Sequence, residues 1–453
     1  MPAPRFAEIH PSQLLAGVFF GFIAVGTALL SLPAATHEGI TFLDALFTAT
    51  SATCVTGLMV VDAGSVFTPF GQAVILFLIQ IGGLGIMTFS TFFMILLGKS
   101  LSMKEASIVS ESFDPARRLS IRDLLKRVMA LTFSIEAIGA LALYFRFARD
   151  HEPARAAYLA VFHAVSGFCN AGISLFPDSL KSFSDDVLVN VVMGALIVAG
   201  SLGFITIVEL HLYSTNAARG RKTRLSLQSK LVLAVTLALM LVGAASTFVM
   251  ERDNVLDGLP LWRQVMASVF HSISRTAGFV TVDFHNFTNG ALYVYIILMF
   301  IGAAPGSVGG GIKVTTFGVL TAMAASRFNA REKVSVFYRT IPENIVDRSV
   351  SILFISTQIV VAFTLVLLFT ESGGHDSPFH REMFMQIMFE VVSAFGTVGL
   401  SAGATGHLTE TGKALITLLM FIGRLGPLTV TLAVGRKTPK GVYQYSEENL
   451  MVG

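Results

Sequence analysis

Four short stretches of the chain share one arrangement of small and polar residues. They read Ser51-Ala-Thr-Cys-Val-Thr-Gly57, Ser166-Gly-Phe-Cys-Asn-Ala-Gly172, Ser272-Ile-Ser-Arg-Thr-Ala-Gly278 and Ser393-Ala-Phe-Gly-Thr-Val-Gly399. A Ser lies six residues before the Gly in each. The third Ser match is ambiguous, because Phe270-His271 aligns with Phe162-His163 if two residues are deleted; the Gly anchors hold either way. The turns carry no carboxylate, no thiol pair and no base. What they share is backbone carbonyl plus a Gly that permits positive φ. Converging carbonyls are hard, neutral oxygen ligands suited to a weakly hydrated monovalent cation. The candidate ligand set is therefore Val55, Thr56 and Gly57; Asn170, Ala171 and Gly172; Thr276, Ala277 and Gly278; and Thr397, Val398 and Gly399. Of these, Thr56, Asn170, Thr276 and Thr397 are candidates to add side-chain oxygens. Cys54 and Cys169 hold matching positions and read as small buried side chains. His163 and His271 also match each other, and packing or capping accounts for them better than metal binding.

A second marker recurs downstream of each turn: Ile81-Gly-Gly-Leu-Gly85, Ala199-Gly-Ser-Leu-Gly203, Ile301-Gly-Ala-Ala304 and Ile422-Gly-Arg-Leu-Gly426. Two markers in register across four copies imply an internal repeat. In the third copy the marker opens into Gly302-Ala-Ala-Pro-Gly-Ser-Val-Gly-Gly-Gly-Ile312, which a straight helix does not tolerate. Unwound backbone at membrane depth must line a cavity. Ala303, Ala304, Pro305, Gly306, Ser307, Gly309, Gly310 and Gly311 are thus candidate gate residues, joined by Arg424 at the matching depth of the fourth copy. A packing kink with a hydrogen-bonded Arg is the plainer alternative. Lys313 does not complete a phosphate-binding loop, since Ile312 precedes it and Val314 follows it. Glu136 lies mid-span, and the residues do not choose between an ion-pair role and a functional one.

The elements that must position these turns follow from composition. Of 453 residues, 53% are hydrophobic and 13% charged, and mean hydropathy is +0.70. Most of such a chain is solvated by lipid. A bilayer core about 30 Å thick needs about 20 apolar residues per helix. Stretches near 14–32, 70–98, 124–146, 187–213, 230–250, 291–325, 349–370 and 411–435 qualify, giving eight spans. Runs near 42–53, 157–168, 262–274 and 383–395 are too short to cross and read as re-entrant helices, each ending at one of the turns. Their C-terminal dipole ends would favour a cation there. Lys and Arg concentrate in 99–127, 219–230 and 326–348, with seven, five and five respectively, while 33–69 has none. By the positive-inside rule both termini are cytoplasmic and the short helices open to the outside. The fold expected is an all-α membrane protein, with eight transmembrane helices forming four parallel span–pore helix–span repeats around one central pore. The repeats are 1–110, 111–218, 219–340 and 341–453.

The whole chain resembles the superfamily of potassium transporters that includes Trk, Ktr and plant HKT proteins. The resemblance rests on the four repeats and on Gly57, Gly172, Gly278 and Gly399 as filter glycines. In that family a Ser in place of the first filter Gly accompanies sodium transport, so Gly57 favours K⁺. Trk-type proteins carry two extra N-terminal spans. With the first repeat starting near residue 14, the chain looks like the ion-translocating membrane subunit of a bacterial Ktr system. The resemblance further implies K⁺ uptake across the plasma (bacterial inner) membrane and sodium dependence. It implies an intramembrane gate loop with Arg424 in the constriction, a homodimer, and a cytosolic RCK-type ring that binds ATP or ADP and docks on the basic inner face. No cofactor is expected in this chain itself, with K⁺ as the transported ion and Na⁺ a candidate second ion.

Other classes find little support. No ATPase motif, HExxH zinc site or Arg-periodic voltage sensor is present, and no catalytic dyad lies at membrane depth, so an enzyme is not expected. Basic residues placed to orient spans do not suggest nucleic acid, and two cysteines build no disulfide framework. The alternatives are a sodium-selective transporter or an alternating-access secondary carrier. The latter calls for ionisable residues at the midplane of several spans, and few occur.

Overall fold

The computed structural model describes residues 11–85, 121–220, 224–371 and 380–426. It is predominantly helical. In chain order the main helices are α1 (Pro11–Leu30), α2 (Phe42–Cys54), α3 (Pro69–Gly83), α4 (Ile121–Phe147), α5 (Pro153–Phe168), α6 (Val187–Ser201) and α7 (Phe204–Ala218). There follow α8 (Leu227–Glu251), α9 (Leu261–Ser274), α10 (Asn289–Phe300), α11 (Val314–Phe328), α12 (Glu343–Glu371), α13 (His380–Gly396) and α14 (Glu410–Leu425). A two-residue β-hairpin, Ser335–Val336 with Arg339–Thr340, joins α11 to α12. The short apolar runs thus become α2, α5, α9 and α13, within a few residues of the expected bounds.

Among the described residues, three helices are long and apolar enough to cross a bilayer alone: Lys126–Phe147 within α4, Leu227–Glu251 and Glu343–Glu371. One expected span is not continuous. The stretch 187–213 is α6 plus α7, bent by 107° between Ser201 and Phe204. The cause is local: Gly203 takes φ +80°, outside the helical region, so the ladder ends there. Gly85 and Gly426 take the same conformation at φ +80° and +82°. The parts of the expected spans beyond 85 and 426 lie outside the described residues. The stretch 291–325 is broken as expected, into α10 and α11.

Helix starts follow capping chemistry. The helix that follows each short helix begins behind an N-cap that supplies a side-chain acceptor: Thr68 to Gly71, Asp186 to Val189, Thr288 to Ala291 and Thr409 to Gly412. Each cap residue is also tied to the preceding long helix or its exit. Thr68 donates its hydroxyl to Ala34 O at 2.7 Å, and Asp186 pairs with Arg146. Thr288 donates to Glu251 at 2.7 Å, as Thr409 does to Glu371 at 2.7 Å. Two of the four apolar clusters among the described residues make up most of the interior. One joins α2, α3, α5 and α6; the other joins α10, α13 and α14 to Phe47 and Cys54 of α2 and to Leu58 beyond it. A half-buried ion pair, Lys413 to Asp44 at 2.7 Å, closes α14 onto α2.

Candidate functional site: four glycine turns and the loop beneath them

The four turns meet in a closed ring. A Cβ added to Gly57 would fall on Ala171 O, one on Gly172 on Ala277 O, one on Gly278 on Val398 O, and one on Gly399 on Thr56 O. Each glycine therefore packs against the backbone just before the next glycine, and the fourth returns to the first. All four have positive φ, between +67° and +92°. Two independent constraints, conformation and space, exclude any side chain here.

The approach to the ring is shared by three turns. The short helices α2, α5 and α13 end in a Schellman cap. Val55, Asn170 and Thr397 take left-handed φ of 56°, 55° and 49°. The following N–H groups of Thr56, Ala171 and Val398 then donate back to Ser51 O, Ser166 O and Ser393 O at 2.8, 2.8 and 2.9 Å. The third turn is tighter. Ala277 N and Gly278 N both donate to Ser274 O, at 2.9 and 3.0 Å, and Thr276 does not adopt positive φ. The missing two residues settle the Ser ambiguity. Ser166 Oγ donates to Ile173 O at 2.7 Å, and its counterpart is Ser274, which donates to Phe279 O at 2.5 Å. Ser272, which spacing alone selects, instead donates to Met240 O on α8 at 2.6 Å.

Three of the four candidate side-chain oxygens are engaged by protein. The Asn170 amide lies against the Thr276 hydroxyl at 3.2 Å; in its better-satisfied orientation it also donates to Ile197 O and Gly167 O. Thr397 Oγ1 accepts from Gly310 N. Thr56 Oγ1 is buried without a hydrogen-bond partner. His163 and His271 serve the turns from behind. His163 contacts Leu159 O and Ser174 Oγ, and His271 contacts Ala267 O while accepting from Thr281 N and Val282 N. Glu390, not singled out from sequence, does the same work behind the fourth turn. It accepts from Ser401 Oγ, Ala402 N and Thr405 Oγ1.

The second marker has a steric meaning. A Cβ on Gly82, Gly200 or Gly423 would fall on Thr53 O, Phe168 O or Phe395 O, each the carbonyl four residues before a ring glycine. These glycines let the following helix press against the end of the short one. Gly302 differs: its neighbour is Gly310 O, in its own loop. Gly83 lies against Cys169 Sγ, and Cys169 approaches Glu136 Oε1 at 4.0 Å. Glu136 itself accepts from Gln80 at 3.2 Å. Both cysteines are buried and unpaired.

The glycine-rich loop is pinned at its neck and along its length. Gly302 N donates to Ile312 O at 2.8 Å and Ile312 N to Phe300 O at 3.2 Å. Ala304 N and Val308 N donate to Ser201 O and Gly200 O, and Gly306 O accepts from Phe204 N. Gly306 and Gly311 take φ +69° and +68°. Gly309 packs on the Ala303 methyl, Pro305 O faces Gly203, and Ser307 bonds back to Ala304 O. Lys313 donates to Gly309 O at 2.6 Å. Arg424, 7% exposed, bridges Val308 O of the loop and Gly82 O at the end of α3. A second buried guanidinium was not evident from sequence. Arg275 donates to Leu298 O and Ile301 O at 3.0 and 2.6 Å, capping α10 where it breaks. An Arg three residues before a ring glycine, where the other turns have Cys or Gly, was the available signal.

Comparison with known proteins places the chain in a family. Residues 18–445 match the TrkH family, described as cation transport protein. The chain is 38% identical over 452 residues to Ktr system potassium uptake protein B of Bacillus subtilis, covering 99% of this chain and 98% of that one. It is 36% identical to the potassium/sodium uptake protein NtpJ of Enterococcus hirae, covering 98% of each. Among solved structures, the potassium transporter TrkH from Vibrio parahaemolyticus shares the fold, with a TM-score of 0.74 and 19% identity over 96% of this chain and 87% of that one. The chain belongs to the TrkH family of cation transport proteins, together with the Ktr membrane proteins.

Proposed function

We propose that this protein is the K⁺-translocating membrane subunit of a Ktr-type uptake system in the plasma membrane. The observation that carries the proposal is the closed ring in which each of four glycines packs on the carbonyl before the next. In this reading the chain crosses the bilayer eight times as four parallel repeats about a central axis, with both termini cytoplasmic. Carbonyls of Val55–Gly57, Asn170–Gly172, Thr276–Gly278 and Thr397–Gly399 replace the hydration shell of K⁺. Three of the four candidate hydroxyl and amide groups already have protein partners, so backbone oxygens supply most of the coordination.

The loop 302–312 obstructs the path below the ring, and Arg424 holds it closed by bonding Val308 O. Its charge adds a barrier, since two unit charges 4 Å apart repel by about 4 kcal/mol at an effective dielectric near 20. The names of the relatives support K⁺ as the ion and, through the potassium/sodium protein of Enterococcus hirae, a role for Na⁺. A homodimer controlled by a cytosolic nucleotide-binding ring completes the proposal. The test is Rb⁺ uptake into vesicles holding the purified protein, with K⁺ or Na⁺ as competitor and with Na⁺ present or absent. Competition by K⁺ but not Na⁺ is expected. Equal competition would overturn the filter assignment, and uptake indifferent to added Na⁺ would remove the sodium coupling.

A further inference from the structure

The positions two before the ring glycines are Val55, Asn170, Thr276 and Thr397, and their side chains have different destinations. Val55 packs in the core, while Asn170 and Thr276 bond each other. Thr397 alone among them reaches the gate loop. Its Oγ1 accepts from Gly310 N at 2.8 Å, across 87 residues of sequence, and Thr397 is fully buried. The two surfaces meet without a gap. A Cβ on Gly310 would stand 2.6 Å from Thr397 Oγ1 and 2.7 Å from Cγ2, and one on Gly311 3.3 Å from Gly396 Cα. Thr397 also holds a left-handed backbone at φ 49°, which a β-branched residue keeps only where its surroundings enforce it. The cap bonds to Ser393 O and Ala394 O enforce it from one side, and the loop encloses the side chain from the other.

We propose that Thr397 couples the filter to the gate: the fourth turn holds its K⁺-binding shape while Gly310 is docked on its hydroxyl, and departure of the loop weakens the hold on K⁺. This rests on the reading of the ring as a K⁺ filter and of the loop as its gate. Coupling of this kind is reciprocal, so K⁺ in the filter favours the docked loop by the same factor. Arg424 and the carbonyls of Gly200 and Ser201 secure other parts of the loop, at Val308 and Ala304. They set how often the loop leaves; Thr397 transmits that departure to the filter.

The experiment is a double-mutant cycle on the full-length purified protein. K⁺ affinity is read from the K⁺-dependent rise in thermal unfolding temperature, and Rb⁺ flux is measured in vesicles. In the wild-type background, Arg424→Ala is expected to lower K⁺ affinity about fivefold or more, the lower end of typical coupling. In Thr397→Val, which keeps the shape and removes the acceptor, Arg424→Ala should still raise Rb⁺ flux but leave K⁺ affinity within about twofold. Thr397→Ser keeps an acceptor and should preserve most of the coupling; Thr397→Ala, which also lacks the acceptor, carries the comparison if the Val variant does not fold. An equal Arg424→Ala effect on affinity in both backgrounds, or none in the wild type, overturns the coupling. Gly57→Ser separates the two levels. If it leaves the K⁺-dependent stabilisation untouched, the filter reading itself fails; if it abolishes that stabilisation while Arg424→Ala leaves it intact, only the coupling fails.

Discussion

The first, second and fourth turns are built alike, and the third is not. In the three, a Schellman cap with one left-handed residue delivers the chain to the ring glycine, and a downstream glycine lets the next helix pack on the end of the short one. The third is two residues tighter, carries Arg275 where others have Cys or Gly, and is followed by a helix that stops at Phe300. These departures are connected. Arg275 takes up Leu298 O and Ile301 O, the carbonyls left over when α10 ends. Without such donors a buried helix end would carry unsatisfied acceptors. Breaking the repeat in one copy is therefore what makes room for a loop under a ring that all four copies build.

Perturbing the shared feature should have the largest effect. A side chain at Gly57 must adopt positive φ and also collide with Ala171 O. Left-handed backbone costs about 1–2 kcal/mol and overpacking about 1–3 kcal/mol. Since 1.4 kcal/mol is tenfold, Gly57→Ser is expected to reduce preference for K⁺ over Na⁺ by on the order of tenfold or more. Of two glycines in α1, Gly26 packs on Leu78, whereas Gly21 has open space beside it and is the fitting control. Gly21→Ser should leave selectivity unchanged, and relative Rb⁺ uptake under K⁺ and Na⁺ competition checks both.

Perturbing the feature peculiar to the third copy should act on rate. Arg424→Ala removes the bond to Val308 O and a positive charge beneath the ring. A direct barrier of about 4 kcal/mol would correspond to nearly a thousandfold. Water entering the space and rearrangement of the loop reduce that, and basal Rb⁺ flux per folded molecule is expected to rise on the order of tenfold. A fall in flux would mean that the Arg serves packing alone.

The comparison sharpens at two serines of the third copy. Ser274 ties the turn through Phe279 O, while Ser272 ties α9 to α8 through Met240 O. Each hydrogen bond contributes about 1 kcal/mol to stability. Both Ala variants should lower the unfolding temperature by similar amounts, but only Ser274→Ala should weaken the K⁺-dependent stabilisation, by a few-fold. The reverse result would restore the alignment by spacing.

Much of this was legible in the residues. Short apolar runs bounded by turn signals gave α2, α5, α9 and α13 to within about four residues, because a run too short to span and the small-residue turn after it are both local. The second marker was visible as a pattern, though its cause, close approach to Thr53 O, Phe168 O and Phe395 O, is a contact between distant segments. The bend at Gly203 was missed because one glycine in an apolar run looks the same whether the helix continues or stops. Arg275, Glu390 and the Thr397–Gly310 bond were missed for a different reason. Each depends on which backbone groups are orphaned in the folded chain, and no periodicity reports that.

The smallest expected effects lie at the C-terminal ends of α8 and α12, where one device recurs in two settings. Glu251 and Glu371, at the ends of α8 and α12, each accept from the backbone N–H and hydroxyl of the next N-cap, Thr288 or Thr409. Glu251 is fully buried and its second oxygen accepts from Asn254 at 2.7 Å; the Glu371 bonds are exposed. A carboxylate is the fitting group because every partner of Glu251 here is a donor. Glu251→Gln turns an amide N–H₂ toward one of those donors. It should cost about 1–3 kcal/mol, the penalty for a buried group left unsatisfied. Water can replace the lost bonds at Glu371, so Glu371→Gln should cost less than about 1 kcal/mol. Neither change reaches the ring, and K⁺/Na⁺ selectivity should stay at the wild-type value in both. Thermal unfolding of the two purified variants, side by side, checks the order. Equal shifts would show that burial does not distinguish these ends, and altered selectivity in either would tie these caps to the glycine ring after all.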